Sequence, residues 1–509
     1  MNSSKRLLAA ASAAALAIGN AGAADEDNTA ITIYSSARPG AVPAEMYRPL
    51  PGMGSPNAMS VPGYALVRQE RPVHIDAGRS ELRFTDVAAL IDPTTVTFTS
   101  LSDADTRVLE QNFQFDLVSS DKLLLKYIDR PITVERNVGN QPSTLSGTLL
   151  SAYGGLVLRG DDGTIHSLTG YSAVHFPDLP GGLNTRPTLV WDVFSRRGGE
   201  QRTRVTYQTG GMTWWSDYNL IFTPGRDANS GNLDLSAWVS IINQSGASYE
   251  NARLKLIAGD VHRAQAVAPA MKRTRAMEMA AMDAAAPAGF EEKSFFEFHM
   301  YSLGRPTTLP NNSTKQIELF DRAAAIPARK ILLYYGMPYP YYFDSPYTDR
   351  DLGVQMNKKV DVYLQFRNDK QFGLGVPLPA GRIRVSQLDS ADASLEFIGE
   401  DVIDHTPRDE DVRIKLGSAF DVVGERRQVD FAIDTKAHWI EEEIEIKLRN
   451  HKDEAVEVLV KENLYRWSNW RLVTKSQDYV KEDARTIHFP VRVARDGEAT
   501  VRYRVRYTW

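Results

Sequence analysis

The 509 residues carry 59 basic against 64 acidic side chains, are 42% hydrophobic and 24% charged, and contain no cysteine. This is the balance of a globular chain with a mildly acidic surface, so wholesale disorder and a basic nucleic-acid footprint are excluded. The missing thiols remove cysteine catalysis, Cys-ligated zinc and iron–sulfur chemistry, and they leave the fold to its hydrophobic core.

In chain order the first feature is an export signal. Lys5 and Arg6 form a positive start, residues 7–18 an apolar run too short to span a bilayer, and Ala21, Gly22 and Ala23 a cleavage-like triplet. Cleavage near Ala23 predicts a periplasmic or extracellular protein, and no later segment has the length of a spanning helix. Residues 30–35 then read as a first strand. Residues 37–63, rich in Pro, Gly, Met and Ser, read as a flexible insertion in an exposed loop. Strand signals resume at 64–73, 81–84 and 95–101.

Residues 119–128 (SSDKLLLKYI) are the clearest helix start, with Ser119 or Ser120 as cap and Asp121 at the positive end of the dipole. Short strands at 132–134, 145–151, 155–159 and 164–168 follow, separated by Gly/Asp turns. One helix before closely spaced strands resembles, as a topology analogy, a small SH3- or Sm-like barrel, with a sandwich extension as the alternative. From residue 187 onward β signals dominate: 188–194, 203–209, 220–222, 235–242, 252–258, 294–301 and 315–320. The Ala/Met-rich residues 264–289 interrupt them as a mobile excursion.

Three alternating strands run into an asparagine and a polar turn: WVSIINQS at 238–245, YLQFRNDK at 363–370 and IEIKLRNHK at 444–452. Alternation buries one strand face, and Asn tolerates the left-handed backbone of a turn. The recurrence predicts a mainly β, multi-module β-sandwich (Ig-like) protein with little helix. The modules are an N-terminal β region (24–118), the helix with a barrel-like module (119–180), and sandwiches over 185–330, 331–435 and 436–509.

The phrases RPTLVW at 186–191, GGMTWWSDYNLIF at 210–222 and LSAWVSIINQSGASYENARLKLIAGDVHR at 235–263 resemble a bacterial exported family, the domain of unknown function forty-one thirty-nine. VKENLYRWSNW, KEDARTIHFPV and VRYRVRYTW within 460–509 are similar to that family's ending, and QNFQFDLVSSDKLLLKY at 111–127 to its N-terminal part. The resemblance implies an exported, β-rich architecture and brings no reaction, ligand or catalytic residue with it.

Candidate chemistry is sparse. The rows hold no G-x-S-x-G elbow, P-loop, zincin helix or EF-hand loop, and no cofactor is expected. His438, Glu441 and Glu442 run into a strand pattern, which voids a helical metal motif. Asp404, His405, Asp409, Glu410 and Asp411 form an acidic turn that an acid/base hydrolase site would have to gather into one pocket. Met271, Met277, Met279 and Met282 are soft ligands suited to Cu(I), and also ordinary filler of an Ala-rich stretch. Tyr334, Tyr335, Tyr339, Tyr341, Tyr342 and Tyr347 crowd a Pro-containing loop and are the candidate contacts for a glycan or an envelope protein, or else plugs between modules. Of Trp214 and Trp215, alternation exposes one and buries the other. Arg502, Arg504 and Arg506 alternate with Val501, Tyr503, Val505, Tyr507 and Trp509. That Arg stripe either faces water, binds anionic glycolipid, or pairs with Glu443 and Glu445. The reading is a non-enzymatic binding or scaffolding protein of the envelope. A hydrolase and an outer-membrane-associated β protein are the alternatives.

Overall fold

Alternation becomes burial wherever it is strict. In the strand Gly497–Thr508, Val501, Tyr503, Val505 and Tyr507 are buried while the arginines between them stay wetter. The computed structural model describes residues 28–35, 42–47, 58–114, 116–138, 141–259, 261, 290–337, 343–352, 356–389 and 391–509. The export signal, the four clustered methionines and Tyr339, Tyr341 and Tyr342 lie outside them. The protein is mainly β with little helix.

An eight-stranded sheet runs in the order Phe290–Phe295, Phe298–Leu303, Tyr249–Ala258, Asn28–Ser35, Gly63–Ile75, Gly199–Thr209 and Ile91–Ser100, with Thr307–Leu309 also paired to Tyr249–Ala258. A three-stranded sheet sets Thr188–Ser195 between Gly78–Thr85 and Arg107–Gln114. Trp191 fills the core between them, packed against Phe84 and Phe98 with its indole N–H on Gln111 Oε1 at 2.8 Å.

The helix Ser120–Lys126 starts where Ser119 Oγ accepts from the Lys122 amide. Five antiparallel strands follow in the order Ala173–His175, Pro131–Val138, Gln141–Ser151, Leu156–Arg159 and Ile165–Leu168, over a separate core that includes Leu124, Tyr127, Val134 and Leu158. Its last strand returns to pair with its first, which leaves Ala173–His175 and Ile165–Leu168 as the two edges of an open sheet. The chain leaves the three-stranded sheet at Gln114 and re-enters it at Thr188, and those two residues are direct register partners. The helix and five strands are thus an insertion into one edge pair.

The remaining strands form one sheet of thirteen. Its main path is Leu395–Ile403, Gly381–Leu388, Met212–Pro224, Ser230–Asn243, Ser313–Tyr334, Lys359–Arg367, Asp411–Asp434, Trp439–Asn450, Gly497–Thr508 and Trp470–Lys475. The path has two ends among the described residues. Two strands carry it through more than one sandwich. Ser313–Tyr334, 22 residues long, pairs first with Ser230–Asn243, then with Lys359–Arg367 and Val456–Asn463. Asp411–Asp434, 24 residues long, passes from Lys359–Arg367 to Trp439–Asn450. The module boundary expected at residue 330 therefore falls inside a strand.

Two further expectations change. The single strand expected over 294–301 is a hairpin, Phe290–Phe295 and Phe298–Leu303, turned at Phe296 with φ 57°. The described part of the 37–63 insertion is docked: Val42 and Val61 are buried against Ile242.

The recurring asparagines have a common structural role that differs from a left-handed turn. Asn243, Asn368 and Asn450 are all buried. Asn450 Nδ2 donates to the carbonyls of Glu454 and Ala494, and its Oδ1 accepts the Lys452 amide. Asn243 repeats this with Ala247, Leu309 and the Ser245 amide. Asn368 does so with Val376, Pro407 and the Gly375 amide, around the extra turn Lys370–Phe372. Each side chain pins its own following turn to a distant loop, because buried backbone groups that no ladder reaches need a partner.

Candidate binding site

The strand Met212–Pro224 sends Trp214 inward, where it is 2% exposed and meets Tyr301 edge-on at 6.3 Å. Trp215 consequently stands on the outer face of the thirteen-stranded sheet, with Asp217 two residues on. Register places Ser240 opposite Trp215, Gln316 opposite Ser240, and Arg382 beside Asp217. A chain of hydrogen bonds locks these groups. Trp215 Nε1 donates to Asp217 Oδ2 at 2.7 Å, Ser240 Oγ donates to the same oxygen at 3.0 Å, and Gln316 Nε2 donates to Ser240 Oγ at 3.1 Å. Arg384 reaches Asp217 Oδ1 at 3.3 Å and Glu400 at 3.6 Å. Arg382 makes no ion pair or side-chain hydrogen bond with any other described residue.

The docked segment supplies the facing wall. Ala44–Tyr47 is one turn of helix, and the Tyr47 ring lies 5.5 Å from that of Trp215 at 46°. Between this wall and the sheet is a cleft of about 270 Å³ lined by Trp215, Tyr47, Asp217, Gln316, Arg382 and Arg384. Aromatic faces beside a few fixed polar groups are the usual lining of a small-ligand site.

A second cleft of about 420 Å³ lies where the middle and C-terminal sandwiches meet. Apolar Phe222, Leu364 and Leu416 line it together with Lys330, Asp227 and Glu454. Burial, helped by Lys452, lowers the Lys330 pKa against the pull of Glu454 and Asp227.

The tyrosine loop does not present its described rings as one surface. Tyr334 is fully buried at the end of Ser313–Tyr334, its hydroxyl donating to the Asn357 carbonyl at 2.8 Å, so it leaves the set of contact residues. Tyr335 is half-buried, its hydroxyl shared with that of Tyr465 and receiving Asn463 Nδ2 at 2.6 Å. Tyr347 stacks on Phe343 at 4.2 Å, and its carbonyl accepts from Arg466. The segment straps a buried charge network. Arg466 pairs with Glu442 at 2.8 Å and Arg426 with Glu462 at 2.9 Å, while the hydroxyls of Tyr507 and Tyr503 donate to the same two carboxylates. Burial pushes both phenols well up, which keeps them protonated as donors.

Asp404, His405 and Asp411 are exposed. Asp404 caps the His405 amide, His405 Nδ1 accepts from Ala380, and Asp411 accepts from Gln365. His438 precedes the strand Trp439–Asn450, so the helical metal motif has no helix. Among the described residues no group of three or more His, Asp or Glu side chains is placed to hold a metal. The Arg stripe is paired: Glu441, Glu443 and Glu445 stand in register with Arg506, Arg504 and Arg502. Arg506 meets Glu441 at 2.6 Å, and Arg502 meets Glu443 and Glu445 at 3.2 Å each.

Trp215 was legible as one of an alternating pair. Asp217 and Arg384 were not, because 167 positions separate them and the parallel pairing that joins their strands leaves no mark in either one. In comparison with known proteins, the chain matches no family model, no curated protein and no solved structure.

Proposed function

We propose that the protein is exported and acts in the envelope by binding or scaffolding, without catalysing a reaction. We also propose that the phrases at 186–191, 210–222 and 235–263 reflect kinship with the exported family they resemble. The observation that carries this reading is the continuity of the β stack, in which Ser313–Tyr334 and Asp411–Asp434 each serve two neighbouring sandwiches. A sheet shared in this way holds outer faces and loops at fixed separations, which suits presentation to a partner better than closure around a substrate.

The test uses cells expressing the full chain. A mature N-terminus just after Ala23, found by mass spectrometry in a detergent-free envelope fraction, is the expected result. An intact leader in the cytosol overturns export, and extraction by detergent alone favours the outer-membrane alternative. Turnover of ester, phosphate, glycoside or peptide substrates that is lost on Asp404→Asn or His405→Ala overturns the non-enzymatic reading.

A further inference from the structure

We propose that the cleft at Trp215 binds a carboxylated saccharide, a uronate unit within an acidic glycan. The inference rests on the binding half of the preceding reading and is independent of export. A pyranose ring presents a face of C–H groups, and a flat aromatic side chain is its natural floor. Trp215 is such a floor, and Tyr47, tilted 46° to it at 5.5 Å, makes the adjoining wall.

The floor is set before any ligand arrives. Trp215, Asp217, Ser240 and Gln316 form an unbroken hydrogen-bonded series across three neighbouring strands. A ring held by such a series loses little freedom on binding, which is the advantage of a preorganised site. Asp217 is saturated by Trp215, Ser240 and Arg384, so its carboxylate orients the indole and is not offered to the ligand.

The charge of the ligand follows from Arg382. Elsewhere on the sheet the outward-facing Arg502, Arg504 and Arg506 each meet carboxylates of the next strand. Arg382 stands at the cleft beside Asp217 without such a partner among the described residues. Its planar fork matches a carboxylate in a way that a hydroxyl cannot. A neutral sugar would leave that fork unmatched. A phosphate would gain nothing from the two aromatic walls and would bring a larger charge toward Asp217. Trp238, paired with Asp217 in register, is 37% exposed on the same outer face. It lies two residues from Ser240, about 7 Å along the strand, where the neighbouring unit of a glycan chain would rest.

The experiment is calorimetric titration of the purified full chain with tetramers of galacturonate, glucuronate and mannuronate. The methyl-esterified forms serve as neutral twins of the same shape. Binding of at least one acid, and at least tenfold weaker binding of its ester, is expected. Arg382→Gln should weaken the acid roughly tenfold, the usual cost of a lost charged hydrogen bond, and leave the ester unchanged. Trp215→Ala should weaken both. Because that change could also loosen Tyr47, Arg382→Gln, at a side chain without an ion pair, is the decisive variant, with near-ultraviolet circular dichroism as the check of fold. No binding of any acid, equal binding of acid and ester, or an Arg382→Gln affinity equal to wild type overturns the proposal. So does displacement of the acid by equimolar inorganic phosphate. None of these results bears on the export test.

Discussion

Replacing Asn450 by alanine tests whether the recurring asparagine is a clamp or an ordinary turn residue. The side chain is 1% exposed and makes bonds of 2.8 Å to the Glu454 carbonyl, 2.9 Å to the Ala494 carbonyl and 3.1 Å from the Lys452 amide. Alanine leaves two carbonyls and one amide without that partner. At about 1 kcal/mol for each buried group left unmade, the loss is about 3 kcal/mol. Aspartate keeps the acceptor for Lys452 but faces a carboxylate at two carbonyl oxygens, so Asn450→Asp should be the worse variant at neutral pH. Its folded-state pKa is then raised above the unfolded value. The extra cost is fully present above that folded value and fades as the pH falls through it. The measurement is guanidinium unfolding at neutral and acidic pH, with the exposed Asn219→Ala as a control expected within about 0.5 kcal/mol of wild type. An Asn450→Ala loss no larger than that control, or an aspartate variant more stable than alanine at neutral pH, refutes the clamp. Asn243 and Asn368 make the same three kinds of bond, so their alanine variants should show losses of similar size.

Glu462→Gln should cost about 3–5 kcal/mol in chemical denaturation, because it strands the buried Arg426 guanidinium. The triple change Arg426→Met, Glu462→Leu and Tyr503→Phe, which also removes the hydroxyl that Glu462 accepts, should recover most of that loss, and a triple variant as unstable as the single one contradicts the argument. Gly424→Ala drives a Cβ into the edge of the buried Tyr334 ring at Cε2 and Cδ2, an overpacking cost of about 1–3 kcal/mol. In a Tyr334→Leu background the same change should cost less, and an undiminished cost in that double-mutant cycle locates the strain elsewhere. His488 has its pKa lowered below 6.5 by burial, aided by Lys461 and Arg413 and opposed by Glu482 and Asp483. Its contribution is therefore complete above pH 6.5 and lost as the pH falls through the lower folded value. His488→Phe should flatten that acid limb, and superimposable stability–pH curves for the two proteins would show that another group governs it.

What could be read in the sequence follows from how local the cause is. Gly497–Thr508 carries its face in its own alternation, and its partner in the matching charges at Glu441, Glu443 and Glu445. The capped helix at Ser119 is equally local. By contrast, the strand expected over 315–320 runs on to Tyr334. Ala323–Ala325 and Pro327 blur its alternation, Ala325 takes φ 54°, and its pairing with Ser230–Asn243 shifts register at three places. The tyrosine-rich phrase read as loop chemistry, yet Tyr334 ends a strand and enters the core, because neighbouring strands covered a position that composition alone marks as surface. The cleft needed the parallel pairing of Met212–Pro224 with Gly381–Leu388, a long-range choice that no local pattern encodes.

Continuity of the stack also decides how the two clefts relate. Gln316 at the outer cleft and Lys330 at the junction cleft belong to the same strand, Ser313–Tyr334. Its Gln316 end is paired with Ser230–Asn243 and its Lys330 end with Lys359–Arg367, and a slip of one residue would turn every side chain to the opposite face. Its buried residues Ile317, Leu319, Ile326 and Leu332 make such a slip prohibitive. The strand can therefore fix the distance between the clefts but cannot carry a sliding signal from one to the other. Trp215 and Lys330 share no partner among the described residues, so the effects of substitutions there on stability should add, and a ligand held at the outer cleft should leave the Lys330 surroundings unchanged. The β stack sets spacing, and recognition falls to the side chains that its outer face displays.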